Sequence, residues 1–136
     1  MQRGQHVVAV AALILRGDKV LAMRRASTSE AGAGLWETLS GRIEHGEQPL
    51  LAMQREIEEE CGLAVTIDPR PVEAYAATRK GEPMIVVVYR ALYVAGEVQI
   101  SAEHDAYEWL SAAELAARST LLPLVLAVNK AFLLPL

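Results

Sequence analysis

The chain has 136 residues, of which 52% are hydrophobic, and a formal net charge of −4 at pH 7. These values predict a single domain over residues 1–136 with one core of its own. They argue against a nucleic-acid polymer as partner, because such proteins usually present a basic face. The only cysteine, Cys61, cannot form an internal disulfide, which favours a reducing, cytoplasmic location. Residues 1–15 resemble a short signal-peptide core, but 16–19 stand where a small-residue cleavage site should be, so a buried strand is expected there. The apolar stretch 121–136 is too short and too interrupted to span a bilayer.

The first half of the chain predicts strands followed by one helix. Residues 7–15 and 20–23 are almost continuously apolar and predict a hairpin that is buried on both faces, with a turn at 16–19. A loop at 26–34, rich in Ser, Thr, Ala and Gly, leads to a short strand at 36–39. A helix is predicted from Pro49, a favourable first-turn residue, to Gly62, a favourable residue just beyond a helix.

The second half predicts a run of strands and then two helices. The strands are expected at 63–67, 72–79 and 84–94, with 98–100 as a continuation, and at 108–110 after a loop at 101–107. Ser111 to Glu114 resembles a capping box that opens a helix, and Pro123 is expected to separate that helix from a last one at 124–133.

The predicted helix at 49–61 carries an unusual concentration of acid. Wound at about 100° per residue, it places Glu56, Glu59 and Glu60 within an arc of about 100°. The neighbouring apolar stripe consists of Leu50, Met53, Ile57 and Cys61. Like charges three or four residues apart destabilise a helix by roughly 0.2–0.5 kcal/mol per pair, so three crowded glutamates imply a compensating cation. We expect that cation to be a hard divalent metal ion.

Residues 41–63 follow a fixed pattern: Gly, five residues, Glu, seven residues, Arg-Glu, an aliphatic residue, any residue, Glu-Glu, any residue, Gly and an aliphatic residue. The pattern resembles the signature of the Nudix hydrolases at every defining position, namely Gly41, Glu47, Arg55, Glu56, Ile57, Glu59, Glu60, Gly62 and Leu63. Seven fixed residue types, each at a background of about 7%, would coincide on the order of once in 10⁸ starting positions. The pairs Trp36-Glu37 and Glu108-Trp109, with Glu103 ahead of the second, also resemble the MutT-like members of the family.

The resemblance implies an α+β fold, an α/β/α sandwich with a mixed, curved sheet between helices and the signature as a catalytic loop-helix-loop. It implies hydrolysis of a nucleoside diphosphate linked to another group, X, with Mg²⁺, or Mn²⁺, as cofactor. A nucleoside triphosphate, including an oxidised one, is the leading substrate. ADP-ribose or another nucleotide sugar is the alternative within the class, and a catalytically silent nucleotide-binding module is the alternative outside it. A monomer and a homodimer both remain open.

Three box glutamates are implied as metal ligands: Glu56, which is also a candidate general base, Glu59 and Glu60. Ser40 stands where many relatives have glycine. It is expected to offer its backbone carbonyl to the metal ion, since a carbonyl ligand requires no particular side chain. Outside the box, Glu103 is implied as a further ligand or base; the alternative is an exposed loop acid, with Asp105 or Glu108 in its place.

Arg55 and Glu47 are implied to pair and to orient the catalytic glutamates, and Arg55 is therefore grouped with the catalytic residues; an ordinary helix salt bridge from Arg55 to Glu59 is the alternative. Gly41 is expected to permit a tight loop and Gly62 to end the helix.

Substrate contacts are harder to predict. Arg24 and Arg25 either reach phosphate oxygens or form an ordinary solvated pair. Trp36 either stacks on a base or belongs to the core. His45 and His104 are expected to be solvated loop histidines without a catalytic role.

Overall fold

The computed structural model describes residues 4–28 and 32–135. Within those residues the chain forms eight strands and three helices. In chain order they are β1 (Val7–Arg16), β2 (Lys19–Arg25), β3 (Trp36–Glu37), β4 (Leu39–Arg42), α1 (Pro49–Glu60), β5 (Ala64–Ile67), β6 (Glu73–Arg79), β7 (Glu82–Ala95), β8 (His104–Leu110), α2 (Ala112–Arg118) and α3 (Leu122–Leu133).

Strand β1 lies at the centre of one mixed sheet. It runs parallel to β7 along nearly its whole length, from Val7 opposite Met84 to Leu15 opposite Leu92. On its other side it pairs with β2 only at the hairpin end, and antiparallel β4 takes over farther along. Because β2 and β1 separate, β4 lies directly beside the central strand, and the loop that leads into α1 starts from there.

The remaining strands attach to β2 and β7. Strand β2 pairs antiparallel with β3 and β8, and β7 pairs antiparallel with β5 and β6. The main path through the sheet is therefore β3-β2-β1-β7-β5, with β4, β6 and β8 beside it.

Helices cover both faces of this sheet. Successive side chains of a strand point to opposite faces, and those of β1 alternate between two separate cores. Ala9, Ala11, Leu13 and Leu15 pack in the core that contains buried residues of α2 and α3. Val10, Ala12 and Ile14 pack in the core that contains buried residues of α1. The predicted α/β/α sandwich with a mixed sheet is therefore confirmed.

The helix ends follow the sequence signals. α1 has Pro49 in its first turn and is followed by Gly62, which has a φ of +69°, a left-handed conformation that favours glycine. The capping box of Ser111 and Glu114 is present at the start of α2. Pro123 lies in the first turn of α3, so the last helix starts slightly earlier than predicted. No helix among the described residues is long and apolar enough to cross a membrane.

Three strand predictions were wrong. The predicted loop at 101–107 is partly strand, because β8 begins at His104 and pairs with β2 up to Leu110. Residues 98–100 lie outside the strands. The predicted strand at 36–39 is two strands, and Gly41 lies within the second. In each case pairing with a distant strand, which local composition does not encode, decides the outcome.

Arg90 on β7 is a buried charge that holds the end of α3. Its side chain is 2% exposed. Nη1 donates to the carbonyl oxygens of Ala131 and Leu134 at 3.0 and 2.8 Å, and Nη2 donates to that of Pro135. Nε donates to Asp68 at 3.0 Å. Since the last carbonyls of a helix have no partner within it, this guanidinium satisfies them and ties α3 to the sheet.

Candidate active site

Arg55 is the centre of a charged network at the start of the site. Its Nε and Nη2 donate to the two carboxylate oxygens of Glu47 at 2.9 and 3.0 Å, a bidentate pair. Its Nη1 donates to Glu56 at 2.8 Å and to Glu59 at 3.4 Å, and Nη2 also reaches the carbonyl of Arg42 at 3.0 Å. Hydrogen bonds from Arg55, above all, lower the pKa of Glu47 to about 2. Arg55 therefore joins the loop after β4 to two glutamates of α1.

Glu56 is buried and packs directly against Gly41. A β-carbon at Gly41 would lie 2.0 Å from Cδ of Glu56, so only glycine leaves room for this carboxylate. Burial raises the pKa of Glu56, and the hydrogen bond and charge of Arg55 oppose that shift. The predicted reason for Gly41, a tight loop, was wrong: the residue lies in strand β4 and has no positive φ. Its role is steric.

Glu60 is a buried carboxyl group surrounded by other acids. It is 4% exposed, and its Oε2 receives no hydrogen bond from the described residues. Burial, then a hydrogen bond with Glu103 and the charge of Glu56, raise its pKa. The predicted separation of an apolar face from an acidic face was therefore incomplete, because Glu56 and Glu60 lie among the buried residues of α1.

Glu103 lies in the loop before β8, where its carbonyl accepts a hydrogen bond from the backbone N–H of Ala26 at 2.9 Å. Its carboxylate is the group that acts on Glu60 from outside the box. The two alternatives have other partners: Asp105 binds Nε of Arg24 at 2.7 Å. Glu108 binds Arg118. Of the three acids, Glu103 is therefore the one that acts on Glu60, while Asp105 and Glu108 pair with arginines.

The acidic cluster fits a divalent cation by its chemistry. In residues 4–28 and 32–135, no three His, Cys, Asp or Glu side chains are already arranged as a ligand set. Mg²⁺ does not need such a cage, because it usually keeps several waters and binds through one or two carboxylates plus substrate phosphates. Glu56, Glu60 and Glu103 supply hard oxygen donors, and the unpaired Oε2 of Glu60 lacks a positive partner. Glu59 is more exposed, at 59% of its side chain, and contacts Arg55.

A cavity of about 330 Å³ lies beside strand β4, and none of the cluster's carboxylates is among the described residues that line it. Ser40, Gly41 and Arg42 of β4 line it on the side of the box, which connects it to the carboxylate of Glu56 through Gly41. The other described residues around it include apolar groups of the sheet and of α3 and several polar or cationic groups: Ala9, Ala11, Arg25, Gly32, Leu35, Glu37, Thr38, Tyr75, Ala77, Thr78, Arg79, Lys80, Met84, Val86, Leu121, Pro123 and Leu124. Its size and apolar walls are typical of a small-molecule site.

A second charged cluster lies at this cavity. Oε2 of Glu37 accepts from Nη1 of Arg25 at 3.1 Å and lies 3.0 Å from Nε2 of His104. The prediction that His104 is a solvated loop residue was wrong, since it begins β8 and is 4% exposed. Burial and the charge of Glu37 raise the pKa of Tyr75, which also lines the cavity. The sequence named Arg25 and the pair Trp36-Glu37 separately but did not group them with His104 and Tyr75, because the members come from four separate strands.

The other predicted substrate residues lie away from the cavity. Arg24 binds Asp105. Trp36 has the guanidinium groups of Arg118 and Arg24 near its ring, at 5.1 and 6.0 Å from the centroid. Neither Arg24 nor Trp36 is among the described residues that line the cavity, whereas Arg25 is.

Comparison with known proteins agrees with this geometry. The family model described as NUDIX domain matches residues 5–129. A MutT-like protein of Streptomyces ambofaciens is 33% identical over 83% of this chain and 69% of its own length. The CTP pyrophosphohydrolase of Escherichia coli K12 is 33% identical over 91% of this chain and 89% of its own length. The solution structure of the E. coli ORF135 protein has a TM-score of 0.79 at 27% identity, covering 95% of this chain and 92% of that one.

One relative is much longer than the matched region. A Myxococcus xanthus protein named octanoyltransferase is 39% identical over 77% of this chain, but the match spans only 30% of that protein. Its name therefore carries no argument about this chain.

Together, the mixed sheet between helices and the acidic loop-helix-loop are those of a hydrolase. The chain belongs to the Nudix hydrolase family. Members of this family generally use a divalent metal ion.

Proposed function

We propose that the chain is a Mg²⁺-dependent pyrophosphohydrolase that cleaves a nucleoside triphosphate to a monophosphate and pyrophosphate. One observation carries the proposal: Glu60 is buried, has no donor for Oε2 among the described residues and lies beside Glu56 and Glu103. Glu56 packs against Gly41, and Gly41 lines a cavity of nucleoside size. Such a cluster is costly in a protein unless a cation or a proton compensates it. The proposed enzyme is a single cytoplasmic domain over residues 1–136, present as a monomer or a homodimer. Mn²⁺ is expected to support the same reaction in place of Mg²⁺.

The proposed roles follow from the contacts. Glu56, Glu59, Glu60 and Glu103 hold the metal ion, together with the carbonyl of Ser40, which adjoins Gly41 in β4. When bound, Mg²⁺ neutralises charge on the phosphate oxygens and makes its bound water more acidic. Glu56 or Glu103 accepts the proton of the attacking water, and Arg55 keeps Glu56 in place by its hydrogen bond. Glu47 in turn holds Arg55 by two hydrogen bonds.

The cavity supplies the substrate contacts in this proposal. Cationic groups of Arg25, Arg42, Arg79 and Lys80 line it, and they favour an anionic ligand. The half-buried ring of Tyr75 offers an aromatic face to a base. Arg24 and Trp36, which the sequence also suggested for substrate binding, are left out of the proposal. Arg24 pairs with Asp105, and Trp36 packs against the core, which was the alternative interpretation of this residue.

A nucleoside triphosphate is the proposed substrate class. The E. coli relative named as a CTP pyrophosphohydrolase matches nearly the whole chain and supports it. An oxidised nucleoside triphosphate belongs to the same class. ADP-ribose or a nucleotide sugar remains the alternative, since the box determines the chemistry while the surrounding loops select X.

The direct test is a substrate panel. The pure protein is incubated with Mg²⁺ and nucleoside triphosphates, their oxidised forms, ADP-ribose and nucleotide sugars, and the products are separated by ion-exchange chromatography. We expect monophosphate and pyrophosphate from at least one triphosphate, and no turnover once the metal ion is chelated. Turnover of ADP-ribose alone would replace the triphosphate assignment. No turnover of any member would favour a catalytically silent nucleotide-binding module.

A further inference from the structure

Glu37 is an acidic group in a cavity that otherwise favours anions. It is the single acidic residue among the described residues that line the cavity, where Arg25, Arg42, Arg79 and Lys80 supply positive charge. It is 9% exposed. A carboxylate so placed is unfavourable for binding phosphate and costs free energy to bury. A carboxylate buried at this position is therefore stable only when hydrogen-bond donors contact its oxygens.

The contacts of Glu37 leave one of its oxygens available. Arg25 and His104 both bind Oε2, at 3.1 and 3.0 Å, whereas Oε1 accepts no hydrogen bond from the described residues. His104 is buried and belongs to β8, and Arg25 belongs to β2. Two strands thus fix one oxygen of Glu37, which leaves the carboxylate little freedom to turn away from a ligand.

The chemistry of a carboxylate restricts what that ligand can be. An ionised carboxylate only accepts hydrogen bonds, so a ligand edge that presents a carbonyl oxygen leaves both groups without a donor. Cytosine carries an exocyclic amino group at C4, where uracil and thymine carry a carbonyl. Among purines, adenine carries one at C6, where hypoxanthine has a carbonyl, and guanine carries one at C2, where hypoxanthine has only hydrogen. A site with a buried acceptor rejects an analogue that lacks the donor more strongly than an apolar pocket rejects a change of size.

We propose that Glu37 selects the base: its free oxygen accepts a hydrogen bond from an exocyclic amino group, so that the cavity takes amino-bearing bases in preference to uracil and thymine. Tyr75, whose pKa responds to the charge of Glu37 and whose ring also lines the cavity, is placed to stack on the same base. This inference rests on the proposed function, since it assumes that the nucleoside part of the substrate enters this cavity.

The experiment measures binding separately from turnover. Calorimetry on the full chain with Mg²⁺ compares nucleoside monophosphates that differ by an amino or carbonyl group: CMP with UMP, AMP with IMP, and GMP with IMP. We expect at least one amino-bearing member to bind roughly 10- to 100-fold more tightly than its counterpart, the range of a hydrogen bond to a charged group. In Glu37→Gln, the amide both donates and accepts, so that ratio should fall to about one.

A matched variant separates this effect from a general loss of charge. Glu97→Gln changes an exposed residue beyond β7 that does not line the cavity, and it should leave every ratio unchanged. Equal weakening of both members of each pair by Glu37→Gln would overturn the proposal and indicate that Glu37 only supports Arg25 and His104. The proposal would also be overturned if the unaltered protein bound amino-bearing and carbonyl-bearing monophosphates equally well. That measurement does not depend on whether any variant folds.

The two proposals fail in different ways. If the protein discriminates among monophosphates but hydrolyses no triphosphate, the base selection stands and the proposed reaction does not. If it hydrolyses cytosine and uracil triphosphates with the same kcat/KM and binds all monophosphates alike, the reaction stands and Glu37 has no role in selecting the base.

Discussion

The α-carbon of Gly41 lies against the carboxylate of Glu56, so closely that any side chain at position 41 would occupy the place of that carboxylate. A β-carbon there would fall 2.0 Å from Cδ and 2.1 Å from Oε1 of Glu56. A strand next to the centre of the sheet therefore fixes the position of an acidic group on α1. Strand and helix come from opposite sides of the loop at 43–48, and this contact sets their spacing at the site.

Gly41→Ala is expected to lower kcat by about 100-fold, because moving a catalytic group by about 1 Å costs that much. The fold should persist, since Gly41 has no positive φ and the strand accepts alanine. Steady-state kinetics and thermal melting together check this. Gly4→Ala is the control, because among the described residues its β-carbon would have only one neighbour, at 4.0 Å. Normal kcat in Gly41→Ala would show that the position of Glu56 does not matter to the reaction.

Glu60→Gln should abolish metal-dependent activity while preserving the fold. We expect a loss of more than about 100-fold, above the 10- to 100-fold typical of residues that only orient a metal ligand. Without metal the variant should melt no lower than the unaltered protein, since the amide removes repulsion from Glu56 and Glu103.

The readout for Glu60 is a pair of melting curves with and without Mg²⁺. A ligand that binds only the folded state raises the melting temperature, so Mg²⁺ should stabilise the unaltered protein and not Glu60→Gln. The same gain in both proteins would refute Glu60 as a ligand.

The roles of Glu103 and Glu108 in catalysis can be distinguished by comparing one substitution at each residue. Glu103→Gln is expected to reduce kcat by at least about tenfold, because Glu103 acts on the carboxyl of Glu60. Glu108→Gln should have little effect, since Glu108 is exposed and binds Arg118. Initial rates at saturating substrate decide between them. A loss of rate in Glu108→Gln alone would show the assignment of Glu103 to be wrong.

Arg55→Lys is expected to reduce kcat by roughly 10- to 100-fold with a smaller change in KM, because lysine retains the charge but not the bidentate contact with Glu47. Arg118→Lys, outside the cavity and paired with Glu108, serves as the control. If Arg55→Lys raised KM and left kcat unchanged, Arg55 would act on the substrate instead of on Glu56.

Asp68 gives the protein a component of stability that depends on pH. Hydrogen bonds from Arg70, above all, and from Arg90 hold the pKa of Asp68 well below its usual range. Because the folded pKa is the lower one, this stabilisation is complete above about pH 4 and is lost as the pH falls from there towards the folded value.

Asp68→Asn should therefore lower the free energy of unfolding by about 1–3 kcal/mol at pH 7 and by less at low pH. Urea unfolding at several pH values measures the difference, and Glu97→Gln is again the exposed control. A difference that stays constant from neutral to low pH would contradict the assignment of this component to Asp68.

Much of the fold was predictable because its signals are local. The continuous apolar run of β1, the proline and glycine at the two ends of α1, and the capping box of α2 all encode structure within a few residues. The first part of β8, residues 104–107, was not predictable, since these residues become strand by pairing with β2. Long-range pairing of this kind leaves little trace in one sequence.

The box residues were predictable because they lie at fixed spacing on one helix and the loop before it. The grouping of Glu37 with His104 and Tyr75 was not predictable, since three different strands bring them together. The unusual environment of Arg90 was also invisible: nothing in the residues around it indicates that it binds carbonyls at the end of a distant helix.

The parallel pairing of β1 with β7 sets a condition on how the protein folds as it is synthesised. β1 is almost wholly buried in the finished sheet, yet its main partner is made only after β2, β3, β4, α1, β5 and β6. Pairing across such a separation is slow, because the chain must close a long loop before the contacts form. Until β7 leaves the ribosome, one of the most apolar segments of the chain has an open edge, and that interval is when aggregation is the greatest risk.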